Sequence, residues 1–188
     1  MCSWCWAFSS ALEKLLEKLP AEVGTKRLLA GLAPDSREPM PAQMRDYIRG
    51  QWRQIQRQIP GTRFNFDFWS LCQPRRSTYP ACRAVLAARA LDPATEDAMI
   101  LAIQQAYYLR AMNPSDEHTL VQLADELGLS QAAFRQLLHS ESIAAQVRAT
   151  GGEPVRLGIA PDDAATVRER LREGILAADA LVVTGGVS

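Results

Sequence analysis

Two cysteines separated by two residues, Cys2-Ser3-Trp4-Cys5, carry the strongest chemical signal in the chain. They open a segment with helical apolar spacing, so the first sulfur falls where the unpaired N–H groups and the positive end of a helix stabilise a thiolate. That position, together with the Cys-X-X-Cys spacing, draws a thiol pKa from about 8.5 into the range ~3.5 to 7.5, and the thiolate is the attacking species. Two intervening residues leave the second sulfur within reach of the first. Cys2 is therefore expected to attack a disulfide and Cys5 to resolve the mixed disulfide that results.

The same spacing also describes half of a zinc site, or a chemically idle pair. Zinc takes four ligands. The remaining candidates, Cys72, Cys82, His118 and His139, provide neither a second Cys-X-X-Cys nor a histidine pair at metal spacing. Neither a metal nor an organic cofactor is expected. Cys72 and Cys82 read either as a second redox pair or as small buried hydrophobes. Arg75 and Arg76 read as contacts to a substrate or an anion, or as solvated residues at a helix start. Trp4, Trp6, Phe8, Trp52, Phe64, Phe66, Phe68 and Trp69 either line a groove for unfolded chains or pack a core, and Tyr107-Tyr108 reads as core. His118 and His139 have no acid-base partner legible in the sequence.

The elements that must hold these groups follow from periodicity. Phe8, Ala11, Leu12, Leu15, Leu16 and Leu19 mark an amphipathic helix over residues 6–19, stopped by Pro20. Residues 25–32 are short and apolar and lead into Pro34 and Asp35, which predicts a strand entering a loop. A long helix is expected over 41–59, with Pro41 in its first turn and Met44, Ile48, Trp52, Ile55 and Ile59 on one stripe. Further helices are predicted over 79–91, 94–112, 116–127 and 130–138, with Ser115 or Asp116 as a cap and Gly128 as a stop. Beyond them a helix over 141–149, a strand over 155–159, a helix over 162–176 and a strand over 180–184 alternate in α/β fashion. The expected units are a partial redox unit over 1–39, an all-helical block over 40–138 and an α/β tail over 139–188.

The chain has 188 residues, long enough to bury a real core, and 21 basic side chains balance 21 acidic ones. No global field would draw it to nucleic acid or to an anionic membrane. Its apolar stretches are interrupted well before the ~20 residues of a membrane-spanning helix. Residues 1–6 carry no export-signal pattern, so a cytoplasmic location is expected. In such a reducing compartment, close-spaced cysteines are more often catalytic or metal-binding than structural. Oligomeric state is left open.

Several motifs in order resemble one family. Met1-Cys2-Ser3-Trp4-Cys5-Trp6-Ala7-Phe8, Gly31-Leu32-Ala33-Pro34, Phe64-Asn65-Phe66-Asp67-Phe68-Trp69 and Pro74-Arg75-Arg76-Ser77-Thr78-Tyr79-Pro80-Ala81-Cys82-Arg83-Ala84 are similar to bacterial cytosolic DsbA-family proteins predicted to be disulfide isomerases. The resemblance covers about residues 1–138. It implies an α/β thioredoxin-like fold with a large helical insertion, acting on protein or small-molecule thiols and disulfides. Cys2 and Cys5 take the catalytic positions, and Trp4, Trp6, Arg76, Ser77, Thr78 and Tyr79 become candidate substrate contacts. Family members have a strand before the Cys-X-X-Cys and, after the helical block, a Gly-X-Pro segment whose cis proline faces the cysteines. Here nothing precedes Met1, so the sheet is expected to lack that N-terminal strand. No Gly-X-Pro segment is recognisable, and Gly152-Glu153-Pro154-Val155 is the candidate replacement, with Pro154 in the proline's place.

The tail resembles another family. The run from Ser142 through Gly151-Gly152-Glu153-Pro154 to Asp163, ending in Val182-Val183-Thr184-Gly185-Gly186-Val187-Ser188, is similar to an interior piece of the molybdopterin-binding domain of molybdopterin molybdenumtransferase. In that family a Gly-Gly-Val-Ser loop helps bind the pterin phosphate through exposed backbone N–H groups. The sequence stops at Ser188, before the rest of such a pocket, and the expectation is a chimera joined between residues 139 and 142. The combined expectation is a thiol-disulfide oxidoreductase, impaired by truncation. Its alternatives are a non-catalytic helical interaction remnant and, as a lesser one, pterin binding by the tail.

Overall fold

A computed structural model describes residues 2–20, 29 and 35–149, and within the tail residues 163, 165, 166, 169 and 172. The chain divides into two compact units, Met1–Thr150 and Gly151–Ser188. The strands expected over 155–159 and 180–184, and Pro154, lie outside the described residues, as do the start of the chain at Met1 and the strand expected over 25–32 apart from Leu29, which belongs to no strand. In the second unit, residues 165, 166, 169 and 172 are helical, within the helix expected over 162–176.

Among the described residues the first unit is built from helices. They are α1 (Ser3–Leu16), α2 (Ala42–Gln58), the single turn α3 (Phe68–Leu71), α4 (Tyr79–Leu91), α5 (Glu96–Tyr108), α6 (Glu117–Glu126), α7 (Gln131–Leu138) and α8 (Glu141–Ala149). Among the described residues β pairing is confined to one antiparallel bridge between Pro39 and Arg75. The Met40 N–H, donating to the Pro74 carbonyl at 2.8 Å, extends that junction.

α4 is the axis of the helical block. Ala84, Ala87 and Ala88 are fully buried on it. Side chains this small let α5, α7 and α8 close on several sides of α4, each in contact with it. The core formed there contains Met99 and Ile103 of α5, Leu120, Leu123 and Ala124 of α6, and Phe134 and Leu138 of α7. α8 closes a smaller cluster, in which Ile143 and Val147 pack with Leu86.

The helix ends follow local chemistry. Gly128 adopts φ +77°, the left-handed region open to glycine. Its N–H donates to the Asp125 carbonyl at 2.8 Å and that of Leu129 to Ala124 at 3.0 Å, a paired closure that satisfies the last carbonyls of α6. The Ser130 hydroxyl accepts the Ala133 N–H at the head of α7. Asp116 flanks α6 without a side-chain cap. α5 stops at Tyr108, four residues short of the expected 112, and distant segments bind the carbonyls from there on. The Asn65 backbone N–H donates to Tyr108 at 2.7 Å, the Asn65 amide to Leu109 at 3.3 Å and the Cys72 thiol to Ala111 at 3.1 Å. Ala111 turns out of the helix with φ +51°.

A second core, separate from the α4 cluster, is aromatic. Trp52 and Ile55 of α2, Phe64, Phe68, Trp69, Tyr107 and Tyr108 form it together with Ala7 and Met40. The Trp52 ring lies 4.8 Å from Phe64, 4.9 Å from Trp69 and 5.5 Å from Tyr107. This cluster is the platform on which the first turns of α1 sit.

Candidate active site

Cys2 is the N-cap of α1, in extended conformation (φ −96°, ψ 116°), and its sulfur accepts the backbone N–H of Cys5 at 3.4 Å. No acidic side chain occupies the first turn of α1, so nothing there offsets the positive helix end. The largest influence on Cys2 is a hydrogen bond from the Cys5 side chain. Opposed by partial burial and assisted by the backbone N–H groups of Cys5 and Trp4, it lowers the Cys2 pKa to about 5. The same hydrogen bond, with burial and the Cys2 charge, holds the Cys5 thiol well above its ordinary value. Both cysteines are free and exposed. At neutral pH the pair is one thiolate and one thiol, the charge state that an attacking and a resolving sulfur require.

What fixes this turn is the first of the two residues between the cysteines. Ser3 is buried, and its hydroxyl accepts the indole N–H of the fully buried Trp52 at 2.9 Å. Three residues on, Trp6 stacks on Tyr108 with ring centroids 5.3 Å apart, and its indole N–H donates to the Arg63 carbonyl at 3.2 Å. Burial pushes the Tyr108 phenol well above its ordinary pKa, and the phenol lies close enough to feel charge on Cys2 and Cys5. A protonated, uncharged wall therefore backs the thiolate. Trp4 is half-buried and packs on the same aromatic cluster.

The segment containing Arg76, Ser77, Thr78 and Tyr79 is tied elsewhere. Ser77 donates to Asp35 at 3.4 Å and accepts the Tyr79 N–H at 3.3 Å. Arg83 pairs with Asp35 at 2.8 Å, and its guanidinium lies 5.9 Å from the Tyr79 ring centre. Arg75 donates to the Ser115 carbonyl, and Arg76 is exposed. Cys72 packs on the aromatic cluster and Cys82 on the cluster closed by α8, each with its pKa raised first of all by burial. Neither resembles the low-pKa Cys2. The acid-base partner of His139, invisible in the sequence, is Glu117, at 2.8 Å and on the surface, with Arg135 on its other oxygen at 3.0 Å. Among the described residues no three His, Cys, Asp or Glu side chains converge as a metal site would need.

Sequence reasoning missed Ser3 and did not connect Trp52 to the site. The stripe containing Trp52 was legible, but a polar residue sealed between two reactive cysteines has no periodic signature.

Comparison with known proteins adds a family to this geometry. The model of the family described as the DSBA-like thioredoxin domain matches residues 1–160, and that described as the probable molybdopterin binding domain matches residues 138–188. The fold is similar to that of a Nitrosomonas europaea protein assigned as a disulfide isomerase, at TM-score 0.68 and 21% identity over 94% of each chain. It is also similar to the cytosolic disulfide reductase DsbM of Pseudomonas aeruginosa, at TM-score 0.63 and 25% identity over 80% of this chain and 72% of that one. The latter has also been solved with glutathione. The ClpXP adapter protein SpxH of Halalkalibacterium halodurans is 28% identical over 156 residues, 79% of this chain and 49% of the adapter. The chain thus spans about half the length of the curated relative it matches.

Proposed function

The chain belongs to the DSBA-like thioredoxin domain family, and from that premise we propose that it exchanges thiols and disulfides at Cys2 and Cys5. The observation that carries this reading is the capping sulfur of Cys2, an exposed thiol at the head of a helix with its pKa lowered to about 5 beside a protonated Cys5. In the first step the Cys2 thiolate attacks one sulfur of a substrate disulfide. A Cys2–substrate bond forms, the substrate S–S bond breaks, and the other sulfur leaves as a thiolate that takes a proton from water. In the second step Cys5 gives up its proton and attacks Cys2. The remaining substrate thiolate leaves, and two electrons have passed from the protein dithiol to the substrate. Two equivalents of a small thiol, oxidised to its disulfide, restore the dithiol.

A small thiol of the glutathione kind suits this cycle, since the similar reductase has been solved with glutathione. The same protein's cytosolic location supports a cytoplasmic one here, and among the described residues no helix is long and apolar enough to cross a membrane. Trp4 and Trp6, on either side of Cys5 in the first turn of α1, are the nearest candidate substrate contacts. A second reading, a non-catalytic interaction module, draws support from the adapter function of the relative SpxH.

The test is reduction of a protein disulfide coupled to glutathione oxidation, run on the chain, on Cys2→Ser and on Cys5→Ser. Catalysis requires that Cys2→Ser be inert and that Cys5→Ser accumulate a mixed disulfide at Cys2, visible by mass spectrometry. If Cys2→Ser reduces the substrate as fast as the unmodified chain, the chain is not a dithiol enzyme and the adapter-like reading gains.

A further inference from the structure

A cavity of about 200 Å³ opens at the start of α2, lined by Ala42, Arg45, Asp46, Arg49 and Trp69. At ~30 Å³ per water it has room for a small ion with part of its hydration shell. Three of the lining residues carry a buried N–H that meets no acceptor: Arg45 Nε, Arg49 Nε and the indole Nε1 of Trp69, a side chain only 8% exposed. Native structures leave only a few such groups unmet per hundred residues, and three of the five among the described residues belong to the lining of this one cavity, which points to an acceptor there. The helix adds to the demand. Pro41 at its N-cap offers no side-chain acceptor, and the first turn holds no acidic residue, so the positive end of α2 also faces this region uncapped. The opposing charge is Asp46, more than half exposed, whose carboxylate accepts from Arg49 Nη2 at 3.3 Å. Two guanidiniums against one carboxylate leave the cavity net positive.

We propose that this cavity binds a small oxyanion, a carboxylate or a phosphate, held by Arg45, Arg49 and the Trp69 indole N–H. Every unmet group there is a donor, which excludes a cation. A guanidinium presents a planar donor fork that a carboxylate or phosphate matches with two oxygens. Arg45, Arg49 and Trp52 fall at i, i+4 and i+7 on one face of α2, and the Trp69 ring lies 4.9 Å from that of Trp52. Because Trp52 donates to Ser3, the Trp69 and Trp52 rings link the cavity to the cysteine turn. The carboxylate of a peptide thiol and free phosphate share the required chemistry. The proposal stands on the cavity alone and does not depend on the cysteines being catalytic.

The experiment follows the indole N–H resonances of the full chain by ¹⁵N–¹H correlation. The protein carries ¹⁵N-labelled tryptophan and the Cys2→Ser and Cys5→Ser substitutions, which remove the two exposed thiols that could exchange with a disulfide probe, and Trp69→Phe assigns the signal. Inorganic phosphate and oxidised glutathione are the probes, with chloride at matched ionic strength as the control. The Trp69 signal shifts saturably with either probe, and Arg45→Gln combined with Arg49→Gln weakens binding about tenfold or more, as expected on losing charge-assisted hydrogen bonds. Saturation at lower glutathione than phosphate identifies a peptide carboxylate as the source, and the reverse order identifies free phosphate. A Trp69 signal in the unsubstituted cavity that moves with chloride alone, or with neither probe, overturns the proposal. So does an unchanged titration in the folded double variant.

Discussion

Replacing Cys5 with alanine removes the largest single influence on Cys2, the hydrogen bond from the Cys5 side chain, and leaves the backbone N–H contacts in place. The consequence is legible in the pH dependence of alkylation. With a pKa of about 5 in place of the ordinary 9.0, Cys2 is about nine-tenths thiolate at pH 6, whereas an unperturbed thiol is about one-thousandth thiolate. A low-pKa thiolate is also a weaker nucleophile. At a Brønsted slope of ~0.4 to 0.5, four pH units cost about 40- to 100-fold in intrinsic reactivity. The net result is that Cys2 reacts about 10- to 20-fold faster than an ordinary thiol at pH 6, about equally near pH 7 and several-fold more slowly at pH 8. Cys5→Ala should shift the inflection upward from pH 5 by at least about one unit, slowing the reaction at pH 5 and quickening it at pH 8. The assay is the rate of iodoacetamide labelling of Cys2 from pH 4 to 9, read by mass spectrometry. An inflection at the same pH in both proteins would refute the Cys5 hydrogen bond as the cause, and preferential labelling of Cys72 or Cys82 would remove Cys2 as the reactive thiol.

Three further outcomes are expected. Ser3→Ala leaves the fully buried Trp52 indole N–H without its acceptor and should lower stability by ~1 to 3 kcal/mol, measured as a shift in the urea midpoint. The folded pKa of Cys2 lies below its ordinary value of 9.0, so its contribution to the stability of the reduced protein is present above about pH 9 and is lost as pH falls toward 5. The urea midpoint of the reduced chain should therefore fall over that window relative to Cys2→Ser, and parallel curves would show that the thiolate is not stabilised by folding. A chain ending at Thr150 retains α8, whereas one ending at Leu138 loses the buried Ile143 and Val147. At ~1.5 to 3 kcal/mol for each buried side chain, the shorter chain should melt at clearly lower temperature by circular dichroism, and identical melts would show that α8 adds nothing to the core.

Periodicity and punctuation determined most of the helical block. The expected 79–91 is α4 residue for residue. The stripe of Met44, Ile48, Trp52, Ile55 and Ile59 faces the aromatic core, and Gly128 ends α6 with the positive φ that its lack of a Cβ permits. These features are local, since a 3.6-residue repeat or a glycine stop carries its physics within a few neighbours. The place of Cys2 at the head of α1, with Cys5 within reach of it, was legible for the same reason, because a helix N-terminus and a two-residue spacing are local facts. The motifs over 1–138 and in the tail likewise led to the two families whose models match.

Tertiary structure decided what depends on distant partners. On α1 the sequence stripe marks Phe8, Leu15 and Leu16, yet all three are exposed while Ser3 and Ala7 are buried against the platform. α5 ends early, and beyond it Asn65 and Cys72, some 40 residues away in sequence, bind the carbonyls of Tyr108, Leu109 and Ala111. No pattern announces that the serine between the cysteines receives the indole N–H of Trp52, or that Arg45, Arg49 and Trp69 bring unmet donors to one cavity. A side chain's helical face is set by its own repeat. Its hydrogen-bond partner, and hence its chemistry, is set by whichever segment the fold carries beside it.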